Sequence, residues 1–236
     1  MLKKILRALA LAAVLVLGYF AVRDSIEATK SPPPPPEYGF LVLGDAYTAP
    51  KTINPSQRWA QQVVTIFREE RFSVRDPQYL AEEGMKTERL VSEIDRPEFQ
   101  YPYNLVLLQI GAADIVAGVT AEDYRVKFSN LLIKAISLVE GDPAHVIVLS
   151  IPDWTAIQAN DLADRESVRQ KINRFNEIND EVSHQTGVRY VSVTNLSRMA
   201  AHDLSLLTED RKALSEHMHQ LWARKIYPVA LTALGH

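Results

Sequence analysis

The chain has 236 residues, of which 47% are hydrophobic, enough to close one sizeable core. Its formal net charge of −3, with acidic and basic residues interspersed, leaves no electrostatic footprint for nucleic acid. Cysteine is absent, which excludes a disulfide scaffold, a lipid-modified cysteine and thiol chemistry.

The N-terminus carries the one marked asymmetry. Lys3, Lys4 and Arg7 precede an apolar run over residues 8–22. Fifteen helical residues span about 22 Å, and Ile5 and Leu6 bring the segment close to a bilayer's hydrocarbon thickness. The expectation is an uncleaved signal anchor over residues 1–22, its basic end in the cytoplasm and the rest of the chain outside the membrane. A cleaved signal peptide and a secreted body is the alternative. Residues 23–37 read as a linker, because Pro32, Pro33, Pro34, Pro35 and Pro36 favour a stiff polyproline II rod. Residues 38–236 then form the folded domain.

Within that domain, residues 40–43 read as a buried strand that runs into a Gly44-Asp45 turn. A helix is expected over 56–70 with Ser56 as its cap, followed by a short second strand over 72–74 and a helix over 87–94. Residues 105–110, apolar but for Gln109, form a run without alternation, as in a strand covered on both faces, and leave through a turn at 111–114. An amphipathic helix is expected over 120–140, a strand over 146–149, a helix over 167–186, a strand over 190–193 and a last helix over 215–233. Strands alternating with helices predict an α/β fold, a three-layer α/β/α sandwich with a parallel, flavodoxin-like sheet of about five strands.

Ligands of such sheets bind beyond the carboxyl ends of the strands. In those loops the chain resembles the SGNH (GDSL-type) hydrolases, and more narrowly a bacterial envelope branch of that family. The resemblance rests on Leu43-Gly44-Asp45-x-Tyr47-Thr48, on Ile110-Gly111, on Ser150-Ile151-Pro152-Asp153-Trp154, on Val193-Thr194-x-Leu196-Ser197-Arg198 and on the tail Leu221-Trp222-Ala223. It implies ester hydrolysis by a serine, a histidine held by an aspartate three residues before it, and oxyanion donors that include an asparagine.

At the matching positions stand Ala46 for the serine, Ala113 for the asparagine and Ala213 for the histidine. Asp45, Gly84, Gly111 and Asp210 keep the family frame. Arg211-Lys212 and Met85-Lys86 also depart from the family pattern, so the whole site has diverged rather than three residues alone. The resemblance therefore implies a pseudoenzyme that binds a glycan, an acyl-bearing ligand or an envelope protein without cofactor. Tyr47, Thr48, Asp114, Asp153 and Trp154 are its candidate ligand contacts. The competing expectation is an active esterase or acetylhydrolase on acylated envelope glycans or lipids, with Tyr47 or Thr48 and His217 in new roles. His219 reads as a packed helix residue, and the six histidines show no metal-ligand spacing.

Overall fold

The computed structural model describes residues 18–19, 37–99, 102–157 and 164–236. The chain divides into two units, Met1–Pro36 and Glu37–His236. Nearly all of the expected anchor and of the expected linker lies outside the described residues. Among the described residues, no helix is long and apolar enough to cross a membrane.

The second unit is built on five parallel strands in the order β2-β1-β3-β4-β5: β1 (Phe40–Gly44), β2 (Gln78–Ala81), β3 (Leu105–Gln109), β4 (Val146–Leu149) and β5 (Arg189–Val191). The three inner strands are buried along their whole length, because helices cover both sheet faces. On one face α1 (Trp59–Glu69) packs against the closing helix α7 (Glu216–Ala233). On the other, α4 (Ala121–Ser137) lies between α2 (Thr87–Glu93) and α5 (Arg165–Thr186). Two short helices, α3 (Ala112–Val116) and α6 (Thr194–Met199), follow β3 and β5 directly.

Several expected boundaries move, each for a local reason. The second strand is Gln78–Ala81, not 72–74; Val74 makes only an isolated bridge to Tyr38, and Pro77, which lacks an N–H, separates the two segments. The helix expected from Ser56 begins at Trp59. Before it, Asn54 caps a 3₁₀ turn over Pro55–Gln57 through its Oδ1 at 3.0 Å from the Ser56 N–H, and Arg58 is extended. The helix expected from Ser167 starts at Arg165, because Asp164 is the residue whose side chain accepts the Ser167 N–H. The helix expected to reach residue 140 stops at Ser137, and the backbone then turns through positive φ at Glu140 and Gly141.

Candidate active site

Strand order reverses between β1 and β3, and the Asp45-Ala46-Tyr47 turn and the Gly111-Ala112-Ala113 turn meet at their carboxyl ends. Asp45 joins the two. Its Oδ1 accepts the Tyr47 N–H at 3.0 Å and its Oδ2 accepts the Ala112 N–H at 3.2 Å. Burial pushes its carboxyl up to about 7 against the opposing pull of those two N–H groups. The approach is close enough to demand glycine at two places. A Cβ on Gly111, whose φ is +126°, would sit 2.6 Å from both Ile151 Cδ1 and Tyr124 Oη; one on Gly44 would sit 2.4 Å from the Gln109 carbonyl.

Beside these turns opens a cleft of about 670 Å³ lined by Ala46, Tyr47, Gly84, Ala113, Val116 and Trp154, with Glu83 and Lys86 at its edge. The rings of Tyr47 and Trp154 stack with centroids 6.1 Å apart. Val116 stands 78% exposed on the lip. Among the described residues the Ala46 and Gly84 amides have no hydrogen-bond acceptor, and both residues line the cleft. Ala213 lies elsewhere. It lines an adjoining cavity of about 270 Å³, which it shares with Ala46, Lys51, Lys212 and His219. The three alanines thus flank two connected spaces with Ala46 common to both.

Three of the five expected ligand contacts face inward, a correction to the sequence reading. The Thr48 hydroxyl is buried and donates to the Gln109 carbonyl at 3.2 Å. Asp114 is buried with Oδ2 at 2.9 Å from both the N–H and the hydroxyl of Thr87, fixing the start of α2; burial raises its pKa. Asp153 is fully buried, with Oδ2 at 2.8 Å from Arg198 Nε and Oδ1 accepting the Thr155 N–H. Only Tyr47 and Trp154 reach the cleft.

The frame expected at Asp210 is also altered. Its Oδ1 accepts the Thr208 hydroxyl at 2.7 Å and the Lys212 N–H at 3.1 Å, which together hold its pKa below the usual carboxylate value. It faces a separate groove with Ser205, Glu209, Ser215 and His217 rather than the space at Ala213. His217 lies 3.4 Å from the Ser205 hydroxyl in that groove.

His219 is the residue whose role the sequence left least visible. It is fully buried, stacks on Trp222, and its Nδ1 accepts the Trp59 N–H at 3.0 Å, completing the start of α1. A backbone N–H can only donate, so the ring is neutral with its proton on Nε2. Burial, aided by Arg58, pulls its pKa down to about 3. No sequence motif signals a histidine that caps a helix 160 residues away.

Among the described residues, no group of three or more acidic or histidine side chains could hold a metal ion. Chemically, the cleft offers apolar walls and the Tyr47 phenol, while the His219 imidazole on the adjoining cavity spends its Nδ1 on the Trp59 N–H.

The profile of the GDSL-like Lipase/Acylhydrolase family matches residues 42–221, and the chain belongs to that family. Solved structures agree on the fold. An esterase, EstA from Pseudoalteromonas sp., superposes with a TM-score of 0.65 at 15% identity over 84% of this chain and 99% of its own. A variant of Axe2, an acetyl xylan esterase from Geobacillus stearothermophilus, gives 0.63 at 16% identity over 84% and 94%. A G-D-S-L family lipolytic protein from Veillonella parvula gives 0.61 at 15% identity over 81% and 97%. No curated protein sequence matches the chain.

Proposed function

We propose that this is a non-catalytic SGNH-family domain, tethered by its N-terminal segment outside a bacterial cytoplasmic membrane, whose cleft binds an acyl-bearing envelope ligand. The observation that carries this reading is the cleft itself. Its turns are held together by Asp45, and the wall is made of the methyl groups of Ala46 and Ala113, the side chain of Val116 and two stacked rings. An apolar trough with two free amide donors suits an acyl chain and its carbonyl: the chain gains from leaving water, and the carbonyl accepts the amides.

The competing reading, an esterase working through relocated groups, loses its parts. The Thr48 hydroxyl is committed inside the fold, and His217 faces a different groove. Burial lifts the Tyr47 phenol far above its ordinary pKa, so it stays protonated and a poor nucleophile. The test has two arms on the full chain. Nitrophenyl acetate turnover stays at background, and a fluorescent fatty acid binds saturably with affinity lost in Tyr47→Ala and Trp154→Ala. Robust turnover, or binding indifferent to both substitutions, contradicts the proposal.

A further inference from the structure

A further cavity, of about 550 Å³, opens beside the loop that carries Trp154. It is lined by Thr155, Ala156, Arg165, Arg169, Arg198 and His202, from the segments that follow β4 and β5. We propose that this cavity is a binding site for a phosphate group, carried by a phosphorylated headgroup or free in solution.

The guanidiniums are held in place from beneath. Asp153 is fully buried, with Oδ2 2.8 Å from Arg198 Nε and 3.5 Å from Arg169 Nε. Arg198 donates through Nη2 to Asn173 Oδ1 at 2.6 Å and through Nη1 to Asn195 Oδ1 at 3.4 Å. Arg169 donates through Nη2 to the Thr155 hydroxyl at 3.3 Å, and Arg165 donates through Nη1 to the Thr155 carbonyl at 2.7 Å. The Asp153 carboxylate is itself oriented by the Thr155 N–H at 3.0 Å, and the Asp153 backbone N–H donates to the Ser197 hydroxyl at 2.7 Å.

This arrangement differs from a solvated patch of arginines. Three long side chains from two helices converge on one loop and are fixed by acceptors on that loop and by a buried carboxylate. The cost of ordering them is thus met within the fold before a ligand arrives. Each guanidinium carries five donors in a planar fork, a geometry suited to the oxygens of phosphate. Among the described residues the opposing charges nearby are Asp153, which holds Arg169 and Arg198, Glu166, 3.7 Å from Arg169 Nη1, and the helix-capping Asp164. Among the described residues, the lining itself holds three arginines and no acid, and the cavity lies at the positive end of the 22-residue helix α5. Phosphate offers several strong acceptors and a double charge, which matches three forks better than a single carboxylate does.

Isothermal titration of inorganic phosphate into the full-length protein, at constant ionic strength, tests the assignment. Binding is saturable, and Arg165→Gln and Arg169→Gln each weaken it on the order of tenfold, because each removes a charge-assisted fork. Arg174→Gln, which removes a guanidinium paired with Glu177 on the same helix, leaves it unchanged. Arg198 is spared because Asp153 depends on it. Should a glutamine variant lose its cooperative melting, Arg169→Lys keeps the charge but not the fork and still weakens binding several-fold. Glycerol phosphate and glucuronate form parallel arms. Tighter binding of glycerol phosphate assigns the site to a headgroup, and equal binding assigns it to free phosphate. Absence of phosphate binding, binding unaffected by both glutamine variants, or stronger binding of glucuronate overturns the proposal.

Discussion

His219→Gln and Asp45→Asn should tilt the pH dependence of stability in opposite directions, for reasons that can be worked through. His219 has its pKa lowered from 6.5 to about 3 in the folded protein. Its stabilising contribution is therefore complete above pH 6.5 and falls away as pH drops toward 3, since the unfolded chain binds the proton first. Asp45 has its pKa raised from 3.8 to about 7, so its contribution is complete below pH 3.8 and is lost as pH rises through 7. At 1.36 kcal/mol per pH unit, acidification from about pH 7 to 5 costs about 2 kcal/mol through His219 and returns about 2 kcal/mol through Asp45.

The wild-type protein is thus expected to show almost no net change from these two groups across that interval. Removing the imidazole unmasks the carboxylate: His219→Gln gains about 2 kcal/mol on acidification relative to wild type, while its amide oxygen can still accept the Trp59 N–H. Asp45→Asn loses about 2 kcal/mol over the same interval, on top of a constant penalty for one of its two N–H acceptors. Urea unfolding of the full chain at pH 7 and pH 5 measures all three slopes, and the exposed carboxylates cancel in the differences. Parallel profiles for wild type and both variants would refute the reasoning, because the two groups would then titrate alike in folded and unfolded chains.

Gly111→Ala, at φ +126° with Ile151 Cδ1 and Tyr124 Oη 2.6 Å from the new Cβ, costs about 3 kcal/mol or more, read from the urea midpoint. Ala46→Ser alone stays at background in a nitrophenyl acetate assay, since a serine without a base is a weak nucleophile. Adding Ala213→His and Ala113→Asn supplies a base and an oxyanion donor but leaves Asp210 bound to Thr208. The triple variant therefore remains about 10⁴-fold below a working triad, and turnover at triad level contradicts the placement of Asp210. Full-length protein fractionates with membranes and leaves them with detergent rather than salt or high pH; a soluble form beginning near residues 22–30 contradicts the anchor.

The parts of the fold that were legible in the sequence are those where one physical demand acts alone. Residues 40–43, 105–108 and 146–149 are hydrophobic throughout because helices cover both faces, and they are strands. Gln78–Ala81 and Arg189–Val191 lie at the sheet edges, half exposed, so their composition carries less of that demand and their expected limits shifted. Likewise α6 is six residues long, and the Ser150 hydroxyl, accepting the Val193 and Thr194 N–H groups, helps fix its start. A partner 43 residues away leaves no local pattern. At the site, motif spacing singled out Ala46, Gly84 and Ala113, which line one opening. It did not distinguish Trp154, which faces the cleft, from its neighbour Asp153, which is turned into the protein. The arginine cavity was invisible for the same reason: Arg169 and Arg198 come together through a buried carboxylate, and Arg165 joins them through the Thr155 carbonyl.

The bonds made by Asp45 have a consequence for how such a fold can change over time. The turn that presents position 46 is held by its neighbour, through the Tyr47 and Ala112 amides, and by the Thr48 hydroxyl beneath it. The side chain at 46 points into open space and supports none of these contacts. Exchanging it therefore adds no cavity, strands no buried polar group and shifts no strand. Selection for a folded, stable protein is blind to that residue, whereas a change at Asp45 or Gly111 would be removed whatever the protein does. Once turnover ceases to matter to its host, a chain of this architecture can lose its reactive residue in a single step and persist, with its binding surface intact and available for another use.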